Sequence, residues 1–178
     1  DFSSNKAFAS GGAMSVDCRD AVISACRFYN NTASENGGGA IFKLFGELIV
    51  DNSVFQANEA KSGSAAVVTD AAELIVRNSA FIVNSGRSTG ALFFNGCPSA
   101  SRYSIVNSTF ASNRLSAPSG LPVVVRGFGG AAICANLDTD VPVNMAHLTV
   151  VGNEALFSGT NKDNFNAAAI NVYGLGRL

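Results

Sequence analysis

Two stretches of this sequence concentrate side chains that could bind a ligand. They run from Arg114 to Gly129 and from Glu154 to Ala168. Cationic, amide and aromatic groups occur together there, and that mixture is typical of surfaces that bind glycans or proteins. The candidate binding residues are Arg114, Arg126, Phe128, Phe157, Asn161, Lys162, Asp163, Asn164 and Phe165. The alternative is that both stretches are tolerated loops without a partner, whose phenylalanines pack on the core.

Carboxylates are the groups that would do catalysis in a protein that cleaves polysaccharides. Hydrolases need two of them at a set separation, and lyases typically need an acidic calcium site beside a basic residue. The aspartates here do not recur at a constant interval. The one pair spaced to point the same way on a strand, Asp138 and Asp140, has no lysine or arginine near it in sequence. We therefore expect no catalytic residues; a lyase-like or hydrolase-like enzyme, or a carbohydrate-binding module, stays the alternative.

Four cysteines, Cys18, Cys26, Cys97 and Cys134, form no Cys-x-x-Cys pair and have no histidine at metal-ligand spacing. Neither a metal site nor a cofactor is therefore predicted. An even number of cysteines in a chain of low charge favours an oxidising, extracellular setting. We expect a disulfide between Cys18 and Cys26, around one corner of the chain, and consider Cys97 with Cys134 as a second pair. Four buried thiols are the alternative.

Two N-glycosylation sequons point in the same direction. They are Asn30-Asn31-Thr32 and Asn107-Ser108-Thr109, so Asn30 and Asn107 are the candidate acceptors. A chain this rich in asparagine, serine and threonine contains such triplets by chance, and they gain weight only together with the cysteines. The two features combined favour an extracellular glycoprotein.

Composition argues against several classes of function. The chain has 178 residues and a net charge of −1, with 47% hydrophobic but only 14% charged residues. The lack of a basic excess argues against nucleic acid or an anionic membrane as a partner. No apolar run approaches the ~20 residues that span a bilayer, so we expect no membrane insertion by this segment. The length is sufficient for one hydrophobic core.

A repeat of about 26 residues organises the sequence and must position these groups. Each copy contains a Phe-x-x-Asn unit, followed by a run of small residues that ends in an aliphatic one. The copies are Phe28/Asn31, Phe55/Asn58, Phe81/Asn84 and Phe110/Asn113, with Phe2/Asn5 before them and a degenerate Val150/Asn153 after them. A period in this range is typical of solenoids. The two candidate binding stretches follow the asparagine in successive copies, so we expect them to emerge side by side.

Short β-strands separated by corners are the expected elements of each repeat. Branched apolar runs such as Leu48–Val50 suit strands rather than helices. Phe55 is out of phase with that run, which predicts a corner at Asn52, and a second corner is needed between Phe55 and Asn58. His147 occupies the position of Asn52 in its own repeat. We therefore interpret it as a corner residue rather than a base or a metal ligand.

Stacking these repeats predicts an all-β fold, a right-handed, single-stranded parallel β-helix of about six coils. We expect residues 1–178 to form a single β-helix segment of a longer chain. Successive coils would lie ~4.8 Å apart. At that spacing the phenylalanines can form one ladder of stacked rings, and the asparagines can form a ladder of hydrogen-bonded amides.

The repeat resembles that of the chlamydial polymorphic membrane proteins, which carry many copies of Phe-x-x-Asn and Gly-Gly-Ala-(Ile/Leu/Val). Four Phe-x-x-Asn units match, together with Gly38–Ile41 and the near match Gly11–Met14. Similar repeats occur in secreted algal and protist proteins. The resemblance covers nearly the whole chain and implies a right-handed β-helix that is displayed on a cell surface and used in adhesion.

The sequence thus predicts a non-enzymatic structural or adhesion module, extracellular or at a cell surface, within a larger assembly. Its expected partners are a protein or a glycan. Neighbouring coils or subunits are expected at both ends, because an uncovered ladder edge invites further pairing.

Overall fold

A computed structural model of the chain describes residues 1–61, 63, 66–96, 102–117, 130–137, 141–157 and 169–174. Within these residues the chain is all β, and no helix occurs there. Accordingly, the described part of the chain offers no helical segment of the length and apolarity that crossing a membrane takes. The strands are β1 (Phe2–Ser3), β2 (Lys6–Ala7), β3 (Met14–Asp17), β4 (Asp20–Ser24), β5 (Arg27–Tyr29), β6 (Thr32–Ala33), β7 (Ile41–Leu44), β8 (Glu47–Asp51), β9 (Val54–Gln56), β10 (Glu59–Ala60), β11 (Val67–Thr69), β12 (Glu73–Arg77), β13 (Ala80–Ile82), β14 (Ser85–Gly86), β15 (Leu92–Asn95), β16 (Arg102–Val106), β17 (Thr109–Ala111), β18 (Arg114–Ala117), β19 (Ile133–Leu137), β20 (Val143–Ala146), β21 (Thr149–Val151), β22 (Glu154–Phe157) and β23 (Ile170–Gly174).

Equivalent strands of successive repeats pair in parallel and build four sheets. The first sheet has the order β1-β5-β9-β13-β17-β21 and the second β2-β6-β10-β14-β18-β22. The third is β3-β7-β11-β15-β19-β23 and the fourth is β4-β8-β12-β16-β20. Since each strand pairs with its counterpart in the next repeat, the chain winds as a parallel β-solenoid. The predicted all-β parallel solenoid is therefore confirmed.

The phenylalanine ladder runs through the core as predicted. Phe28, Phe55, Phe81 and Phe110 are fully buried and pair in register on the first sheet. Their ring centroids are 4.7–4.8 Å apart, with interplanar angles of 1–5°. Phe2 continues the stack on Phe28 at 4.8 Å. Parallel pairing at the strand spacing thus imposes the ring separation.

A column of aliphatic side chains on the third sheet belongs to the same hydrophobic core as the rings. Ile41 is opposite Val67, Val67 is opposite Leu92, and all three are fully buried. Glycine stands two residues before Ile41 in this column because the backbone there packs against another coil. A Cβ at Gly39 would lie 2.6 Å from backbone atoms of Glu59, so no larger residue fits.

Two columns of left-handed residues make the corners that the sequence predicted. One column follows the fourth sheet: Ala25, Asn52, Asn78, Asn107 and His147, with φ of 46–53°. The other precedes each asparagine of the Phe-x-x-Asn unit: Ser4, Asn30, Ala57, Val83, Ser112 and Gly152, with φ of 54–61°. The predicted corners are confirmed, and His147 lies in one of them. Val83 is the only β-branched residue among these left-handed positions of the described chain.

Replacing Val83 by asparagine should stabilise the protein. Val83 has a φ of 56° and is 53% exposed, so the substitution removes left-handed strain on a β-branched residue and buries nothing polar. We expect the free energy of unfolding to rise by about 1 kcal/mol, measured by urea denaturation. The matched control is Val151→Asn, which changes the same residue type at 57% exposure within strand β21. Equal loss of stability in both variants would contradict the strain argument.

Candidate functional site

The asparagines of the repeat form an amide ladder, and its four inner members, Asn31, Asn58, Asn84 and Asn113, are fully buried with both side-chain polar atoms hydrogen-bonded. Oδ1 of Asn58 accepts hydrogen bonds from the backbone N–H of Asn31 (3.0 Å) and from its Nδ2 (2.9 Å). Nδ2 of Asn58 donates to the carbonyl of Phe28 (3.0 Å) and to Oδ1 of Asn84 (3.0 Å). The pattern continues to Asn153, which lies 40 residues after Asn113, the preceding asparagine of the ladder. The predicted ladder is confirmed, and the amides of its inner members are fully used by these structural bonds.

A second ladder consists of serine hydroxyls and lies at the corner that precedes each phenylalanine. It was not predicted from the sequence. The backbone N–H of Ser53 donates to Oγ of Ser79 (3.1 Å), and that of Ser79 donates to Oγ of Ser108 (3.2 Å). Each hydroxyl in turn donates to the carbonyl two residues before it, at 2.8 Å. The only signal in the sequence was the Asn-Ser dipeptide that recurs before the phenylalanine.

The predicted disulfide between Cys18 and Cys26 is wrong, because both are free thiols. They lie on either side of β4, whose five residues span about 16 Å, whereas a disulfide needs Cα atoms within ~7 Å. Cys26 instead takes the place of a serine in the hydroxyl ladder. Its Sγ donates to the carbonyl of Ser24 (3.2 Å), and its backbone N–H donates to Oγ of Ser53 (3.1 Å).

The second cysteine pair stays a prediction. Cys134 is buried on the third sheet, beside Phe93, whereas Cys97 lies outside the described residues.

The two candidate binding stretches start from neighbouring strands of the second sheet. Strands β18 and β22 pair in parallel and place Arg114 opposite Glu154. The guanidinium Nε of Arg114 is 3.8 Å from the Glu154 carboxylate, and both side chains are more than half exposed. The expectation that these stretches emerge side by side is thus confirmed at their roots.

Most of the other residues of these stretches cannot be placed. Phe157 is the last residue of β22, and its side chain is not among those described. The others lie outside the described residues: Arg126, Phe128, Asn161, Lys162, Asp163, Asn164 and Phe165. The site that the sequence proposed is therefore represented by its base alone.

Both sequon asparagines lie at exposed, left-handed corners. Asn30 precedes Asn31 of the buried ladder and has a φ of 55°. Nδ2 of Asn107 donates to Oδ1 of Asn78 at 2.7 Å, and that of Asn78 donates to the Asp51 carboxylate at 3.0 Å. A glycan on Asn107 would have to accommodate this surface chain of amides, whereas Asn30 has no hydrogen bond from its side chain among the described residues.

Acidic side chains form a column that the spacing of the aspartates alone does not predict. Asp20 is opposite Glu47, and Glu47 is opposite Glu73, on the outward face of the fourth sheet. Arg102, in the next repeat, donates to Glu73 at 2.5 Å. Asp138 and Asp140 lie outside the described residues, within which no cluster of three or more potential metal ligands occurs.

Asp51 is the carboxylate with the clearest electrostatic partner. The Arg77 guanidinium donates to it at 3.0 Å, and Asn78 donates to its other oxygen. The Arg77 hydrogen bond, followed by that of Asn78, lowers the pKa of Asp51 below its ordinary value. The group is therefore held as a carboxylate at the surface of the fourth sheet.

Lys43 is a buried cation that sequence reasoning did not single out. It is fully buried at the inward position shared by Val16 and Thr69. Its ammonium donates to three backbone carbonyls, those of Cys18 (2.7 Å), Leu44 (3.0 Å) and Phe45 (2.5 Å). All three protons of the ammonium thus have an acceptor, and the cation joins two neighbouring corners.

Comparison of the chain with protein-family models, with curated proteins and with solved structures gave no match. The resemblance to the chlamydial repeats therefore stays a prediction.

Replacing Lys43 by methionine should destabilise the protein strongly. The apolar chain is retained, but the carbonyls of Cys18, Leu44 and Phe45 lose their donor, and a fully buried unsatisfied group costs about 1–3 kcal/mol. Because Cys18 and Phe45 are exposed residues, water can replace part of these bonds. We expect a loss of about 2–5 kcal/mol in the free energy of unfolding, measured by urea denaturation. Lys6→Met, at an exposed position of β2, is the control and should change stability little. A loss as small as that of the control would show that the carbonyl cage contributes nothing.

Removing Arg77 should raise the pKa of Asp51 towards its ordinary value, since the main cause of the lowering is lost. The measurement is an NMR titration of the Asp51 carboxyl in the wild type and in Arg77→Ala. Because the folded-state pKa is the lower one, the group stabilises the fold above the ordinary aspartate range. This contribution is lost as the pH falls through the folded-state pKa. An unchanged titration in the variant would assign the lowering to another group.

Proposed function

We propose that this chain is a non-enzymatic structural and adhesion module, extracellular or at a cell surface, within a larger assembly. The proposal includes a right-handed helix of about six coils. The three six-stranded sheets support that count, and the general preference of parallel crossovers supports that hand.

The pairing of β18 with β22 is the observation that carries the proposal. The two candidate binding stretches begin on these paired strands, so their first residues share one rigid base. Binding residues placed on loops over a rigid scaffold are a common arrangement, because the scaffold lowers the entropic cost of ordering them. A protein or a glycan is the partner that the composition of these insertions favours.

The saturated interior supports a structural role for the rest of the chain. The amide and hydroxyl ladders use their polar groups internally, as the fourfold bonding of Asn58 illustrates. What remains for a partner is the outward face of each sheet and the insertions. The exposed sequon residues Asn30 and Asn107 support an extracellular location, where both could carry glycans.

A polysaccharide-active enzyme is the second candidate, and the acidic column favours it. Asp20, Glu47 and Glu73 bring three carboxylates together on one outward face. Against catalysis, that face is a sheet surface, and Arg102 neutralises one member of the column. Release of sugar fragments from a polysaccharide by the wild type, lost in Glu47→Gln, would establish this candidate instead.

Shortening one insertion tests the adhesion module. We would replace residues 118–129 by a short glycine-containing turn and measure binding to immobilised extracellular-matrix proteins and glycans. Binding by the wild type, reduced at least about tenfold in the variant with an unchanged thermal midpoint, is the expected result. Replacement of residues 97–101, which follow a different sheet, is the control. No binding by the wild type, or equal binding by both shortened proteins, would refute the role of the insertions.

A further inference from the structure

A shallow cleft on the outward face of the second sheet has the composition of a ligand site. Its volume is about 210 Å³, and its polar lining residues are Glu59, Lys61, Ser85, Arg87 and Ser116. They come from three successive repeats, on or directly after β10, β14 and β18. Both candidate binding stretches also begin on this sheet, in β18 and β22.

The register of the strands brings the two cations of the cleft together. Glu59 is opposite Ser85 and Ala60 is opposite Gly86, so the next residues, Lys61 and Arg87, are also neighbours. Ser116 continues that column, because Leu115 before it pairs with Gly86. Side chains two residues apart on a strand point to the same face, so the column from Glu59 lies beside the column from Lys61.

Neither cation forms an ion pair in the part of the chain that the structure describes, although Glu59 lines the same cleft. The ion pairs found there involve Arg77, Arg102 and Arg114 instead. Lys61 is exposed and Arg87 is half-buried, so both heads can reach a ligand in the cleft. Two cations outside any ion pair, about one strand spacing apart, favour a single anionic group held between them.

We propose that this cleft binds an acidic saccharide through its carboxylate. Arg87 and Lys61 would hold the carboxylate, since a guanidinium presents paired donors that match its two oxygens. Ser85 and Ser116 would bond sugar hydroxyls, and Glu59 would accept from another. The acidic neighbours Glu59 and Glu154, and a net charge of −1, oppose a ligand with several anionic groups on each sugar and favour one carboxylate per sugar among hydroxyls.

This inference rests on the proposed adhesion role and names the ligand class for the base of the first insertion. Ser116 belongs to β18, the strand from which that insertion leaves. A saccharide in the cleft would therefore contact Ser116, within the first residues of that candidate binding stretch.

Titration of ¹⁵N-labelled protein with oligogalacturonate tests the proposal. We expect shifts at the amides of Lys61, Ser85, Arg87 and Ser116. We also expect at least about tenfold weaker binding by Arg87→Ala and by Lys61→Ala, because each removes a charged hydrogen bond. Arg27→Ala, on the first sheet, is the control and should bind as the wild type does. Methyl-esterified oligogalacturonate should bind at least about tenfold more weakly than the free acid.

Several results would overturn the proposal. These are no binding of the free acid at about 10 mM, equal binding of the methyl ester, shifts confined to other sheets, or unchanged affinity in both cleft variants. Equally tight binding of a glutamate-rich peptide would show an acidic-peptide site instead. Failure of the cleft proposal can be distinguished from failure of the adhesion proposal. The protein shortened at residues 118–129 should retain the oligogalacturonate shifts even where adhesion is lost.

Discussion

The buried carboxamide of each repeat is the constraint on which the solenoid depends. An asparagine side chain offers two donors and two acceptor sites, and at Asn58 all four are used by the two adjacent repeats. A shift of register by one residue would leave such groups unpaired in the core, at a cost that a marginally stable fold cannot carry. The same bonds form between Asn113 and Asn153 across 40 residues, so length between the asparagines is free while their alignment is not.

The second constraint is that the backbone carbonyls at the sharp corners need hydrogen-bond donors. Left-handed residues turn the chain within one or two positions, and the carbonyls beside them then need partners. The serine hydroxyls bond those of Asp51, Arg77 and Val106. Where the chain turns through Phe45 and Gly46, the ammonium of Lys43 supplies the donors. A lysine can therefore be fully buried without a carboxylate, since its protons are all bonded.

What recurs could be predicted from the sequence, and what occurs once could not. Phenylalanine, asparagine and both corners repeat with a constant phase, so the stacking of repeats predicts them from the sequence. Lys43 is a single event in one coil, with no periodic signal. The prediction for Cys26 was wrong because Cys18, the nearest cysteine in sequence, suggested a disulfide. The residue that Cys26 contacts in the fold is Ser53. The acidic column was not predicted because different residue types occupy equivalent positions, aspartate in one repeat and glutamate in the next two.

The same geometry determines how such a protein can acquire a binding site. Inward side chains are bound to one another by the ladders, so a change there costs stability in two neighbouring repeats. Outward side chains are constrained only by the spacing between strands, and each repeat adds one residue to every outward column. Lys61, Arg87 and Ser116 are far apart in sequence yet adjacent in one column. A ligand that lies across the strands is therefore recognised by residues of several repeats, which is why no contiguous motif marks the cleft.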